Sequence, residues 1–164
     1  AGIGKLILAD FDKVEISNLN RQQYKLSQIG EYKSAALCKN LKEINPFITL
    51  EAYTAAITPD NAEEILSCAD IICEAFDKAE NKAMLTNFVL ENMPDKYLVA
   101  SSGMAGFDSA NKIKTRRISK RFYLCGDCVS DAYSNIGLAS TRIMTCAAHQ
   151  AHMILRILSG EFDA

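Results

Sequence analysis

Residues 5–22 read KLILADFDKVEISNLNRQ, and their character changes abruptly in the middle. Lys5 to Asp10 is a short apolar run that ends on an acid, the pattern of a strand covered on both faces in a parallel sheet. A second acid follows at Asp12, and then Asn18, Asn20, Arg21 and Gln22 crowd together. Solubility alone does not require this mixture of carboxylate, amide and guanidinium. The stretch therefore reads as a strand that delivers a polar cluster to something.

The rest of the chain repeats the alternation. A helix is expected from about Glu31 to Ile44, with Leu37, Leu41 and Ile44 on one face, and Asn45-Pro46 stops it. Phe47 to Tyr53 alternates as the next strand. Thr58-Pro59-Asp60 reads as an N-cap with a first-turn proline, opening a short helix to about Ser67. ADIICEAFD then supplies a buried strand at Ile71 to Ala75, closing on Asp77. Lys78 to Asn92 is helical and ends before Pro94, and KYLVASS is a further strand. Two short strands are expected between Lys112 and Leu124. The last helix runs from about Thr141 to Leu158, with Ile143, Ala147, Ala151, Ile154 and Leu158 as its core stripe and Gly160 as its stop. Strands alternating with helices predict an α/β fold, a mainly parallel sheet with flanking helices.

Composition sets the limits. At 164 residues the chain is expected to be a single domain with one sizeable core. Apolar residues make up 49% and charged residues 23%, the balance of a water-soluble globular protein. The net charge of −2, with Lys and Arg scattered, leaves no electrostatic footprint for nucleic acid. No apolar run approaches the roughly 20 residues that span a bilayer, so no membrane partner is expected. No basic-then-apolar opening suggests a signal peptide. Cys38, Cys68, Cys73 and Cys146 fall in segments that read as core, which suits reduced thiols and a cytoplasmic location.

In open parallel sheets ligands gather at the carboxyl ends of strands, where Asp10 and Asp77 both stand. An acid in the position of Asp10 either accepts hydrogen bonds from ribose hydroxyls or simply begins a turn. Arg21 carries a planar fork suited to phosphate oxygens, and Asn18, three residues earlier, shares its side in a helical turn. Lys33, in the first turn of its helix, is poorly placed for the helix dipole. A polyphosphate bound at that helix end would offset the cost; a solvated lysine is the plain alternative.

The segments LADFDKVEISNLNRQ, IGEYKSAAL, INPFI and ADIICEAFD together resemble the ThiF/MoeB family, the adenylating enzymes that activate ubiquitin-like sulfur carriers. The resemblance covers most of the chain up to about Ser101. SSGMAG, FYLCGD and CAAHQAHMILRILSGE resemble the shorter ThiF branch associated with thiamine biosynthesis. This resemblance implies a Rossmann-like fold and an adenylyltransferase that uses ATP and Mg2+. Asp10 would hold the ribose, Asn18, Arg21 and Lys33 the triphosphate, and Asp77 the magnesium ion. It also implies a sulfur carrier partner, a sulfur donor and a homodimer.

Two departures from the family pattern shape the expectation. The chain begins at AGIGKLIL, where a second strand should be starting, so it reads as a fragment lacking the first strand, glycine loop and first helix. Such a fragment is expected to bind ATP poorly and to be inactive alone. Relatives also carry two Cys-x-x-Cys pairs for zinc, whereas this chain has only Cys125-Gly-Asp-Cys128, with His149 and His152 on one helical face. A Cys2His2 site is arithmetically possible, but a core of this size supports folding without metal, so zinc is not expected. A nicotinamide-dependent dehydrogenase is disfavoured because NLNRQ puts phosphate ligands where that class has no use for them. A non-catalytic carrier-docking or scaffold subunit is the alternative.

Overall fold

The computed structural model describes residues 2–130 and 137–164. The chain divides into two compact units, Ala1–Ser67 and Cys68–Ala164.

In the first unit, β1 (Lys5–Ala9) pairs in parallel with β2 (Thr49–Tyr53), Lys5 opposite Thr49 and Ala9 opposite Tyr53. The ladder continues past both ends, through Thr49 N–H to the Gly4 carbonyl at 2.8 Å and Asp10 N–H to the Tyr53 carbonyl at 3.1 Å. Helix α1 (Lys33–Ile44) makes the crossover that parallel pairing requires. It ends as the sequence predicts, because Asn45 takes extended backbone angles before Pro46. No residue of β1 is fully buried, which corrects the expectation of a strand covered on both faces. Among the described strands β1 pairs only with β2.

The face of α1 also differs from the expected one. Lys33, Ser34, Ala36 and Asn40 are buried, while Ile44 is 79% exposed. The reason is a polar partner. Asn40 and Gln28 exchange amide hydrogen bonds at 2.9 and 3.1 Å, and Asn40 Nδ2 also donates to the Gln23 carbonyl at 2.9 Å. These bonds satisfy amides that would otherwise be costly to bury. They lock the long loop between β1 and α1 onto the helix. The short helix α2 (Ala62–Leu66) starts later than expected, because Thr58 opens a turn instead of capping. Its carbonyl accepts from Asn61 and Ala62 N–H, and its own N–H donates to Asn61 Oδ1 at 2.8 Å.

In the second unit, β3 (Ile71–Cys73), β4 (Tyr97–Ser101) and β6 (Phe122–Gly126) are parallel, with β5 (Lys114–Arg117) antiparallel on β6. The order is β3-β4-β6-β5. Helix α3 (Ala79–Asn92) connects β3 to β4, and α4 (Ser140–Leu158) packs on β4, β5 and β6. The core gathers Val99, Tyr123 and Cys125 of the sheet against Cys146, Met153 and Ile157 of α4. Gly160, at φ +81°, ends α4 as predicted.

The expected stripe of α4 is out of phase. Its buried positions are Arg142, Cys146, Gln150, Met153 and Ile157, while Ala147, Ala151 and Leu158 are exposed and Ile143 and Ile154 are half-buried. Gln150 turns inward because its Nε2 donates to the Glu74 carbonyl at 2.8 Å and to the Val99 carbonyl at 3.3 Å. The thiols follow the same pattern of partial success. Cys146 is buried as expected, but Cys68 and Cys73 are exposed and Cys38 is half-buried. No helix among the described residues is long and apolar enough to cross a membrane.

Candidate functional site

At the carboxyl end of β1 the first unit gathers Asp10, Asp12 and Lys33. Asp10 follows the strand, and its Oδ1 accepts from Asp12 N–H at 2.8 Å, the turn-forming bond that acids at strand ends often make. Asp12 then reaches α1: its Oδ2 lies 2.8 Å from Lys33 Nζ, and its carbonyl accepts from Lys33 N–H at 2.8 Å. Lys33 is the first residue of the helix and only 11% of its side chain is exposed. The cation at a helix N-terminus is thus offset inside the protein by a carboxylate, a partner that sequence reading did not assign. The signal was present, since Asp12 is the second acid after an apolar strand. Tyr24 closes the cluster: burial, with Asp10 nearby, pushes its phenol up to about 12, and its hydroxyl donates to the Lys33 carbonyl at 3.4 Å.

The NLNRQ segment forms a 3-10 turn at Ile16–Asn18 and continues turning, with Arg21 and Gln22 N–H both bonded to the Asn18 carbonyl. Asn18 is buried, and its Oδ1 accepts from Glu15 N–H at 3.0 Å. Arg21 is half-buried; its Nη1 donates to the Ser17 carbonyl at 2.7 Å and to Asn20 Oδ1 at 2.9 Å. Gln22 Oε1 is buried with no hydrogen-bond partner among the described residues.

The second unit holds Asp77 in the turn that joins β3 to α3. The strand stops at Cys73, earlier than the expected Ala75, and Asp77 is exposed. It forms no hydrogen bond or ion pair with a described residue. Sequence reading overlooked two neighbours in this unit. Glu74, 1% exposed, sits 3.0 Å from Lys82 Nζ, and Asp127 lies 2.5 Å from the Arg142 guanidinium. An acid inside the apolar ADIICEAF run was the available signal for Glu74. At the end of β6, Gly126 is at φ +136°, where a Cβ would stand 2.0 Å from Ser102 Oγ, so this close approach requires glycine.

The four residues considered for zinc are engaged differently. Cys125 is buried with Sγ 3.6 Å from Thr115 Oγ1, and the same hydroxyl is 3.0 Å from His149 Nδ1. Cys128 is exposed, 3.4 Å from Arg116 Nη1, and His152 is exposed. Among the described residues no cluster of three or more His, Cys, Asp or Glu could hold a metal ion.

A parallel α/β fold with acids and cations at strand ends defines a Rossmann-like protein. More specifically, the chain belongs to the ThiF family, which it matches over residues 1–163. It is 36% identical over 100 residues to the sulfur carrier protein adenylyltransferase of Thermus thermophilus, covering 60% of this chain and 32% of that protein. It is 34% identical over 106 residues to the adenylyltransferase and sulfurtransferase MOCS3 of Caenorhabditis briggsae, covering 63% and 26%. The chain therefore spans about a third or less of the length of these relatives. Among solved structures, the E. coli tRNA N6-threonylcarbamoyladenosine dehydratase TcdA, in complex with AMP, superposes with a TM-score of 0.82 at 21% identity, over 97% of this chain and 78% of that one. HcgE from Methanothermobacter marburgensis, with guanylylpyridinol and ATP bound, superposes with a TM-score of 0.69 at 16% identity, over 96% and 82%. At these identities the likeness shows the fold.

Proposed function

We propose that the intact gene product adenylylates the C-terminal glycine carboxylate of a ubiquitin-like sulfur carrier, with ATP as co-substrate. Residues 1–164 act as part of its adenylating domain. The observation that carries this reading is the cluster at the end of β1, where Asp12 N–H bonds the Asp10 carboxylate and the Asp12 carboxylate bonds the buried Lys33. Family membership and the naming of the similar relatives support it.

In this reading Asp10 accepts the ribose hydroxyls, and Asn18, Arg21 and Lys33 donate to the triphosphate. The carrier carboxylate attacks the α-phosphorus; a C–O–P bond forms, the bond between the α-phosphorus and the bridging oxygen breaks, and pyrophosphate leaves. The nucleophile is already anionic, so the step needs alignment and charge neutralisation more than a strong base. Lys33 can serve by exchanging its bond with Asp12 for a phosphate oxygen.

Asp77 would hold the magnesium ion that accompanies ATP, which supplies positive charge. An exposed carboxylate with no partner among the described residues fits that hard cation, which is usually bound by one or two carboxylates together with phosphate oxygens and water. The thiamine branch, a sulfur-donor partner and a homodimer belong to the same proposal. So does a cytoplasmic location, with which the free thiols are compatible.

Carrier-dependent exchange of pyrophosphate into ATP tests the function. Exchange that needs the carrier supports it, and no exchange with any ubiquitin-like carrier sinks it in favour of a docking or scaffold role. Asp77→Asn should keep the fold, since the shape hardly changes. Its magnesium requirement in the exchange assay should rise about 10- to 100-fold, the range seen when support for a metal is lost. An unaltered rate at limiting magnesium would make Asp77 a turn residue only.

A further inference from the structure

We propose that Glu74 is a positioning residue for Asp77, holding the turn from both ends through one buried carboxylate. The proposal rests on the reading of Asp77 as the magnesium carboxylate.

Glu74 lies one residue past β3 and is 1% exposed. Every part of it is engaged. Its N–H donates to the Val99 carbonyl at 3.0 Å, and its carbonyl accepts from Gln150 Nε2 at 2.8 Å. Its Oε1 accepts from Phe76 N–H at 2.5 Å and from Lys82 Nζ at 3.0 Å. Its Oε2 accepts from Lys82 Nζ at 3.2 Å and from Ser101 N–H at 3.3 Å. Lys82, only 18% exposed in its side chain, also donates to Ser101 Oγ at 3.0 Å.

These donors bracket Asp77. Phe76 precedes it directly, and Lys82 lies one turn into α3. Asp77 has no bond of its own to a described residue, so its location is inherited from the backbone on either side. The carboxylate of Glu74 bonds the backbone upstream at Phe76 N–H and the side chain of Lys82 downstream, and it ties both to the end of β4 at Ser101. Stability alone does not explain the arrangement, because apolar side chains of similar volume can replace a buried ion pair at little or no cost. A charge bonded to two backbone N–H groups does what apolar side chains cannot: it selects one course for the turn.

The decisive variant is Glu74→Leu/Lys82→Met, which removes both charges together. Its melting temperature should fall less than that of Glu74→Leu alone, since no unpaired ion is left. In the protein without nucleotide, hydrogen exchange at the Phe76 and Asp77 amides should accelerate at least tenfold. The magnesium concentration for half-maximal pyrophosphate exchange should rise about tenfold, the lower end of the effect of losing a residue that orients a metal ligand. If the double variant does not fold, Glu74→Gln replaces it, with the same directions and smaller sizes. Unchanged amide exchange and an unchanged magnesium requirement in a folded variant would overturn the proposal. If Asp77→Asn shifts the magnesium requirement and the Glu74 variants do not, the positioning role fails and the magnesium reading stands. If Asp77→Asn shifts nothing, the magnesium reading itself fails, and the positioning role falls with it.

Discussion

Arg21→Ala in the intact gene product is expected to lose carrier-dependent pyrophosphate exchange by about 100- to 1000-fold, the usual effect of removing one preorganised donor from a charge-stabilising site. A group that neutralises phosphate charge gains most as charge develops around the α-phosphorus, so its loss falls on the rate more than on ATP binding. Arg21→Lys should recover only part of the rate, because a point charge cannot reproduce the planar fork. The guanidinium already bonds the Ser17 carbonyl at 2.7 Å and Asn20 Oδ1 at 2.9 Å, so the alanine variant should also lose about 1 kcal/mol of stability. If Arg21 only ties its loop, the balance reverses: stability falls and activity follows the folded fraction alone. Melting temperature and exchange rate, measured on the same two variants, separate the outcomes. Lys33→Ala is a companion case. Sequence alone suggests that removing this cation would relieve the helix N-terminus, but its bond to Asp12 reverses that expectation, and the variant should be less stable.

The second large effect concerns the ion pair beyond β6. The Asp127 side chain is fully enclosed and that of Arg142 is 4% exposed. Arg142 Nη2 donates to Asp127 Oδ2 at 2.5 Å, and Nη1 donates to the Ala105 carbonyl at 2.7 Å. Asp127 Oδ1 accepts from Val129 N–H at 3.1 Å and Ser130 N–H at 3.0 Å, and the Ser130 hydroxyl donates to Oδ2. Arg142→Leu leaves a buried carboxylate without its counter-ion and should cost about 3–5 kcal/mol. That is a large fraction of the roughly 5–15 kcal/mol by which domains are stable. Asp127→Leu/Arg142→Leu should recover much of the loss, since neither charge remains.

The same pair makes an acid-sensitivity prediction. Burial alone would raise the Asp127 carboxyl, but the hydroxyl and N–H of Ser130, the N–H of Val129 and the Arg142 guanidinium outweigh it and hold the group well below its usual range. A depressed folded-state pKa contributes stability that is fully present above the unfolded value of about 3.9 and is lost as pH falls below it. Between about pH 5 and pH 2 the melting temperature of the unchanged protein should therefore fall more steeply than that of Asp127→Asn. Parallel slopes would show that the fold does not depress the Asp127 carboxyl below its unfolded value.

How much of this was legible beforehand varies by element. Strands β1, β4 and β6 and helices α1, α3 and α4 follow from apolar runs and from Asn45-Pro46, Pro94 and Gly160, whose effects on the backbone are local. Strand β3 and helix α2 were visible too, but both are shorter than their apolar pattern suggests. Asp10, Asn18, Arg21, Lys33 and Asp77 could all be singled out from residue type and position next to a strand or helix end.

What each of those groups touches could not be read in the same way. Sequence alone set the order of elements, the parallel class of the sheet and the polar character of the loop after β1, because backbone geometry and hydrophobic period act over a few residues. Tertiary structure alone decided that Arg142 and Gln150 face inward on α4 while Ala147 and Ala151 face water. Apolarity predicts the opposite. The choice depends on whether a buried polar group finds partners, and those partners lie far along the chain: Asp127 for Arg142, and the carbonyls of Glu74 and Val99 for Gln150. The same holds for Lys33, whose ammonium tolerates burial at a helix N-terminus because Asp12, 21 positions earlier, is folded back against it.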